Sequence, residues 1–136
     1  MFVNLTEESK KYLIKNDDVL VARTGATYGK TLIWKDSYKD GIFASFLIRL
    51  RFNERVNPYF YYIFTKTEDY WVQAESLKGG TGQPQFNGNA IKKIQIPVPS
   101  IKIQESIVYE VQPIEERIDI LFNLLQELEQ EKSRIQ

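Results

Sequence analysis

Residues 19 to 34 read VLVARTGATYGKTLIW, and this stretch decides how the chain begins to fold. Two apolar runs, Val19 to Arg23 and Leu32 to Trp34, flank a segment that contains two glycines. Branched and aromatic side chains favour strands, and glycine supplies the backbone freedom that a connection between strands needs. The stretch therefore predicts two strands joined by a glycine loop, defined here as residues 23 to 30.

The glycine loop also resembles a phosphate-binding loop, because Gly25 is followed by Gly29, Lys30 and Thr31. A phosphate loop has four residues between its first glycine and Gly-Lys-Ser/Thr, and it opens a helix. Only three residues separate Gly25 from Gly29, and the residues that follow suit a strand. We therefore interpret the loop as a connection between strands and not as a nucleotide site.

The composition excludes several classes of function. The 136 residues are enough for about one domain, and they include neither histidine nor cysteine. Disulfides, Cys/His zinc sites, thiol nucleophiles and histidine-based triads are thereby excluded, and we predict no catalytic and no metal-binding residues. The sequence contains no apolar run of about 18 residues and no signal-peptide pattern at its start, so a cytoplasmic protein without membrane contact is expected.

The net charge of zero hides a division along the chain. Residues 1 to 104 carry 15 Lys/Arg and 10 Asp/Glu, whereas residues 105 to 136 carry 3 and 8. A mildly basic body joined to an acidic tail indicates two surfaces with different partners.

The middle of the chain predicts a strand and two short helices. The later half of the segment Ile42 to Arg51 alternates apolar and charged residues, which is typical of a strand. Asn57 followed by Pro58, and Thr67 followed by acidic residues, are signals of helix starts. Seven aromatic residues lie between Tyr59 and Trp71 at helical spacing, and this spacing favours core packing over a base-stacking platform.

A second glycine-rich segment follows the two helices. Residues 78 to 89 predict a loop dominated by glycines and amide side chains, and we call residues 78 to 87 of it the late loop. The surrounding segment from Ser76 to Gln104 contains four lysines and no acid. Amide side chains can pair with adenine edges, and lysines can approach phosphates, so the composition suits either a nucleic-acid contact or a flexible surface loop.

The last segment has a heptad pattern. Its apolar residues recur at steps of three and four, which indicates a helix that packs against a partner helix, and Lys132 interrupts the pattern. Pro113 with two following glutamates resembles a fresh helix start and predicts a kink or a break near Gln112. We call the apolar positions the seam: Ile107, Val111, Ile114, Ile118, Leu121, Leu125, Leu128 and Ile135.

Four segments together resemble the DNA specificity subunits of type I restriction-modification systems. Residues 17 to 30 are similar to that family's "GD-hydrophobic-LVARTG…GK" element, although Asp17 stands where glycine is usual. Residues 80 to 87 resemble its late loop, and residues 96 to 104, IPVPSIKIQ, resemble its "IPLPPLEEQ" signature. The heptad helix follows directly, as the family's spacer helix does. Members usually carry further recognition-domain strands before the first element, so the resemblance implies a domain that is incomplete at its N-terminus.

The resemblance implies a non-catalytic module that reads half of a two-part sequence in double-stranded DNA. The expected partners are modification (methyltransferase) subunits, a restriction subunit, and a second specificity half or a second copy paired through the helix. S-adenosylmethionine, ATP and Mg²⁺ are expected only on partner subunits. The candidate DNA contacts lie in the two loops: Arg23, Thr24, Thr27, Tyr28, Lys30, Lys78, Thr81, Gln83, Gln85 and Asn87. Residues 36 to 40 are a further candidate segment for reading bases.

The predicted fold class is α+β. Residues 1–100 form a partial target recognition domain of mixed α/β type, with short strands and two small helices, and residues 101–136 form a long C-terminal coiled-coil helix. The alternative function is a truncated protein-interaction module that dimerises through this helix and binds little DNA itself.

Overall fold

The computed structural model describes residues 17–34, 47–80 and 82–135. Within these ranges the chain forms a small antiparallel sheet, three short helices and one long helix, and this α+β arrangement confirms the predicted fold class. The elements are β1 (Val19–Ala22), β2 (Thr31–Ile33), β3 (Leu47–Leu50), α1 (Pro58–Phe64), α2 (Glu68–Leu77), α3 (Gly88–Lys92) and α4 (Ile101–Ile135).

The described sheet has the order β2-β1-β3, with β1 antiparallel to both neighbours. Val19 pairs with Ile33 of β2 and with Leu50 of β3. Val19, Leu20 and Val21 are all buried, so this central strand is covered on both of its faces. Both strands predicted from residues 19 to 34 are present, and the later half of the third predicted strand is β3; residues 42 to 46 lie outside the described part.

An ion pair between the exposed Arg51 and the buried Asp18 ties the start of β1 to the end of β3. Arg51 donates from Nε and from one terminal nitrogen to the two oxygens of Asp18, at 2.9 and 3.1 Å. Asp18 is 3% exposed, and a bidentate pair of this kind compensates the charge that burial would otherwise leave unpaired. Asp18 thus serves the fold by holding two neighbouring strands together.

Asp17 adopts a left-handed backbone with φ of 69°. Aspartate tolerates this region better than most residues, but glycine adopts it without steric cost. This geometry gives a physical reason why glycine is usual at this position in the sequences that residues 17 to 30 resemble.

We expect Asp17→Gly to raise the free energy of unfolding by about 0.5–1 kcal/mol, because relief of the left-handed strain exceeds the added entropy of the unfolded chain. Urea denaturation measures the change. Asp119→Gly, the same substitution within α4, is the matched control and should lower helix stability by up to about 1 kcal/mol. A loss of stability in Asp17→Gly would contradict the argument.

The aromatic residues of α1 and α2 pack beneath the sheet. Asn57 caps α1, since its side-chain oxygen accepts from the N–H groups of Tyr59 and Phe60, and the Thr67 hydroxyl caps α2 in the same way. Both predicted helix starts are therefore confirmed. The prediction of core packing is also confirmed, because four of the seven aromatic residues are buried: Phe60, Tyr61, Phe64 and Tyr70.

Two details differ from the sequence-based expectation. Gly88 and Asn89 belong to a third short helix, α3, and not to a loop, because the side chain of Asn87 caps it by accepting from the Ala90 N–H. The predicted break near Gln112 is wrong, since α4 is continuous through Pro113. Proline removes a single hydrogen bond, the one to the carbonyl of Tyr109, and Tyr109 is 81% exposed, so water can reach this turn.

Candidate nucleic-acid interface

The glycine loop is a tight connection between two antiparallel strands. The Gly29 N–H donates to the Ala22 carbonyl at 2.7 Å, and the Ala22 N–H donates to the Lys30 carbonyl at 2.9 Å. A single 3₁₀ turn, Gly25–Thr27, fills the space between them. The loop therefore leads into β2 and opens no α-helix, which confirms the interpretation as a turn and removes the helix N-terminus that a phosphate loop requires.

Gly29 has a backbone that only glycine fits. Its φ is +78°, and a β-carbon at this position would lie 3.0 Å from the ring of Trp71. The hydroxyl of Tyr70 donates to the Gly29 carbonyl at 2.7 Å. Two aromatic residues of α2 thus hold the glycine loop from below, so the positions of its polar side chains are set by the core.

The late loop closes on itself through a pair of backbone hydrogen bonds. The Gly79 N–H donates to the Gln85 carbonyl at 2.7 Å, and the Gln85 N–H donates back at 3.0 Å. Gly80 has a φ of +90°, and a β-carbon there would lie 2.3 Å from the Gln83 carbonyl oxygen. Gly79 and Gln85 are therefore held side by side across the late loop.

The two loops, about sixty residues apart in the sequence, lie side by side. The Gly25 N–H donates to the Pro84 carbonyl at 3.1 Å, and the Phe86 N–H donates to the Arg23 carbonyl at 2.6 Å. Between these bonds, Thr24 and Gln85 form an antiparallel bridge. The loops thereby form one continuous surface, which we call the two-loop surface.

A cluster of three polar side chains lies where the two-loop surface meets α2. The Tyr28 hydroxyl donates to Glu75, and the ammonium of Lys78 lies 2.8 Å from the other oxygen of Glu75. The same ammonium lies 5.2 Å from the centre of the Tyr28 ring. Lys78 is therefore held at the junction of the two loops by one carboxylate and one aromatic face.

These contacts move the pKa of each of the three groups further from neutral pH. The hydrogen bond to Glu75, with a smaller contribution from burial, raises the pKa of Tyr28. Hydrogen bonds from Lys78 and then from Tyr28 lower the pKa of Glu75, and the bond to Glu75 raises the pKa of Lys78. At neutral pH the cluster therefore holds a neutral phenol, a carboxylate and an ammonium, and the ammonium is charged when a phosphate approaches.

The structure brings most of the candidate residues together, with different roles. Thr27, Lys30 and Gln83 are exposed, whereas Arg23, Thr24 and Gln85 are half-buried and take part in the contact between the loops. Asn87 is exposed but uses its side-chain oxygen to cap α3, so this oxygen serves the fold. Thr81 and residues 36 to 40 lie outside the described part of the chain.

The seam lies on the exposed length of α4. Ile107 and Val111 are half-buried against the rest of the chain, and from Ile114 onward the seam residues are between 53% and 83% exposed. A groove of about 610 Å³, lined by apolar residues of α1, residues 97 to 99 and Ile107, lies at the proximal end of the seam. The apolar surface therefore continues from this groove along the helix.

Near the middle of α4, the heptad pattern left out three exposed apolar residues: Ile120, Phe122 and Leu124 are 55–61% exposed. At about 100° per residue, Phe122 and Leu124 flank the seam, and Ile120 lies on the far side of the helix. The apolar face near the middle of α4 is thus wider than a two-helix contact needs. A helical projection of every residue would have shown these three side chains, which the heptad steps of three and four leave out.

Two other features, a metal site and a membrane-spanning helix, are not found in the described residues. Among residues 17–34, 47–80 and 82–135 there is no group of three or more acidic side chains arranged to hold a metal ion. The helices of this part of the chain include none that is both long and apolar enough to cross a membrane.

Two comparisons place the chain among known proteins. Residues 2–130 match the family described as type I restriction modification DNA specificity domain. The specificity subunit of the type I restriction enzyme StySPI from Salmonella potsdam is 29% identical over 114 residues, which cover 80% of this chain and 25% of the relative. The chain thus spans about a quarter of the length of that relative. Since the family match extends over nearly all of its residues, the chain belongs to the family of type I restriction modification DNA specificity domains, which are non-catalytic in type I systems.

Proposed function

We propose that the chain reads one half of a two-part duplex DNA target and that the two-loop surface makes the contact. The observation that carries the proposal is the pairing of Thr24 with Gln85, which joins two loops distant in sequence into one surface. This surface presents the cations Lys30 and Lys78 and the amide of Gln83. Cations suit phosphates and amides suit base edges, so the surface has the chemistry for both positioning and reading.

The other partners belong to the same proposal. Modification subunits and a restriction subunit would supply the chemistry together with S-adenosylmethionine, ATP and Mg²⁺, and this chain would direct them to the target. The wide apolar face of α4 around Ile120, Phe122 and Leu124 supports a helix that contacts more than one partner. Co-expression with the modification subunits, followed by sequencing of methylated DNA, tests whether the chain specifies a target.

A phosphate contact by Lys78 gives a measurable salt dependence. For Lys78→Ala we expect the slope of log K against log salt to become about 0.9 less steep on a duplex of mixed sequence, because one fewer counterion is released. Fluorescence anisotropy between 50 and 200 mM salt, a span of ionic strength over which phosphate contacts weaken strongly, measures the slope.

The matched control removes the same charge far from the two-loop surface. Arg134 lies near the end of α4, pairs with Glu131 and is 75% exposed, so Arg134→Ala should leave the slope unchanged. Equal slopes for Lys78→Ala and the unaltered chain would remove Lys78 from the proposed interface. A binding constant that does not depend on salt in the unaltered chain would argue against the DNA-binding function altogether.

The exposed seam favours a second function, that of a protein-interaction module that pairs through α4 and binds little DNA. The two functions differ in one observable property. A pure interaction module would associate through the seam and show no salt-dependent affinity for DNA, whereas a recognition module would show both.

A further inference from the structure

Gln104 is a buried residue on α4, a helix that is otherwise mostly exposed. The structure describes all of α4 as helical, and of its residues only Gln104 is buried, with an exposure of 0%. A glutamine side chain is polar and is seldom fully buried without partners. Its position in the first turn of α4, where the helix leaves the rest of the chain, therefore requires an explanation.

The amide of Gln104 makes three hydrogen bonds to backbone groups. Its Oε1 accepts from the Asn57 N–H at 2.8 Å. Its Nε2 donates to the carbonyls of Arg55 and Pro99, at 2.8 and 2.9 Å. Both protons of the amide nitrogen and one acceptor position of the oxygen are thus used, and the planar amide can meet all three partners in one orientation only.

The partners of Gln104 lie in the two segments that lead into α1 and into α4. Asn57 is the capping residue of α1, and Pro99 immediately precedes the Ser100 that leads into α4. The Gln104 side chain therefore links the beginning of α1 to the beginning of α4. Because backbone groups and not flexible side chains accept and donate these bonds, the link leaves little freedom for α4 to rotate.

The length of α4 magnifies any movement at its base. From Gln104 to Ile135 the helix extends about 46 Å at 1.5 Å per residue. A rotation of about 10° at Gln104 would therefore move the far end by roughly 8 Å, given that length. Beyond Gln112 the residues of α4 are exposed apart from a half-buried Glu115, so contacts that fix the direction of the helix are concentrated in its first third.

We propose that Gln104 is a positioning residue that fixes the direction of α4 relative to the recognition domain. If the proposed function holds, Gln104 thereby also sets the distance between the two DNA half-sites that a paired assembly accepts. The proposal assigns a physical role to the last residue of the segment IPVPSIKIQ. A residue that served packing alone could be replaced by methionine, which has nearly the same shape and no amide.

Distance measurement by double electron-electron resonance tests this role in the complete chain. The chain contains no cysteine, so Ser76→Cys on α2 and Asn123→Cys on α4 give two clean sites for spin labels. Dilution into excess unlabelled chain removes distances between molecules. We expect one narrow distance distribution in the parent and a broad or shifted distribution in Gln104→Met, whereas the control Gln130→Met, at an exposed glutamine of α4, should match the parent.

Gln104→Glu gives a second test that does not depend on the folding of Gln104→Met. A carboxylate keeps the acceptor for Asn57 but faces the carbonyls of Arg55 and Pro99 without a proton, whereas the protonated acid can donate to one of them. Burial raises the pKa of a carboxyl group, so the distribution should be broad at neutral pH and narrow again in mild acid. The parent, measured over the same pH range, should not change.

The outcomes separate the positioning role from the proposed function. The positioning role would be overturned if the distance distribution of Gln104→Met matched that of the parent. It would also be overturned if the distance distribution of Gln104→Glu did not change with pH while its helix content stayed constant. Methylation of a target library with half-sites one base pair closer or further apart measures which spacing the assembly accepts. If Gln104→Met no longer distinguishes these spacings, the result supports the role of Gln104 in setting the distance between half-sites. Absence of specific methylation in the parent would reject the proposed function and leave the distance result unaffected.

Discussion

Replacing Phe86 with alanine is expected to lower the free energy of unfolding by about 3–5 kcal/mol and to abolish DNA binding. Phe86 is 0% exposed and lies in the core beneath both loops. Its ring centre lies 6.1 Å from that of Tyr28, with the rings at 66°, and its N–H donates to the Arg23 carbonyl. Loss of the ring leaves a cavity under the contact between the loops, so the two-loop surface loses its support along with stability.

Denaturation in guanidinium chloride measures the stability change, and anisotropy well below the melting temperature measures DNA binding. Phe122→Ala removes the same ring from an exposed position on α4 and should change the stability of the monomeric chain by less than about 0.5 kcal/mol. Phe86→Leu, which largely conserves volume, should cost less than about 1.5 kcal/mol and retain binding. If Phe86→Ala and Phe122→Ala have equal effects, Phe86 does not support the two-loop surface.

Local signals in the sequence predicted the elements that local contacts form. Asn57 and Thr67 cap the helices that they were expected to cap, because a capping side chain bonds to N–H groups only two or three residues ahead. The glycine loop was predicted as a turn because its glycines lie between two apolar runs that are close in the sequence. The helix α3 was missed although Asn87 carries the same signal, because five residues are too few for a periodic pattern.

Contacts between distant segments lay beyond the sequence patterns. Composition singled out the glycine loop and the late loop separately, but no local rule states that Thr24 pairs with Gln85. The three hydrogen bonds of Gln104 could not be predicted from the sequence either. Within a heptad segment, the sequence does not distinguish a buried glutamine from one that is exposed to water. The break expected at Pro113 is absent, and the local rule did not include the exposure of this turn, where water can reach the carbonyl of Tyr109 that proline leaves without its helical partner.

The second large effect is expected on the seam. Placing aspartate at both Ile118 and Leu125 should abolish pairing of α4 with a second helix at micromolar concentration. The two side chains are 55% and 53% exposed in the single chain, so a partner would bury them. Burial of one such side chain contributes about 1.5–3 kcal/mol, and each 1.4 kcal/mol that is lost raises the dissociation constant about tenfold. The new carboxylates would also add to an acidic tail that carries 8 Asp/Glu against 3 Lys/Arg in residues 105 to 136.

Sedimentation velocity of the unaltered chain and of Ile118→Asp/Leu125→Asp measures the pairing. Ile120→Asp is the matched control, because Ile120 is 61% exposed but lies outside the seam, so pairing should survive this change. If the double variant still pairs, the seam is not the contact. If Ile120→Asp pairs normally but no longer co-purifies with modification subunits, the two faces of α4 bind different partners. The wide apolar face of the helix would then be explained by two simultaneous contacts and not by a larger helix bundle.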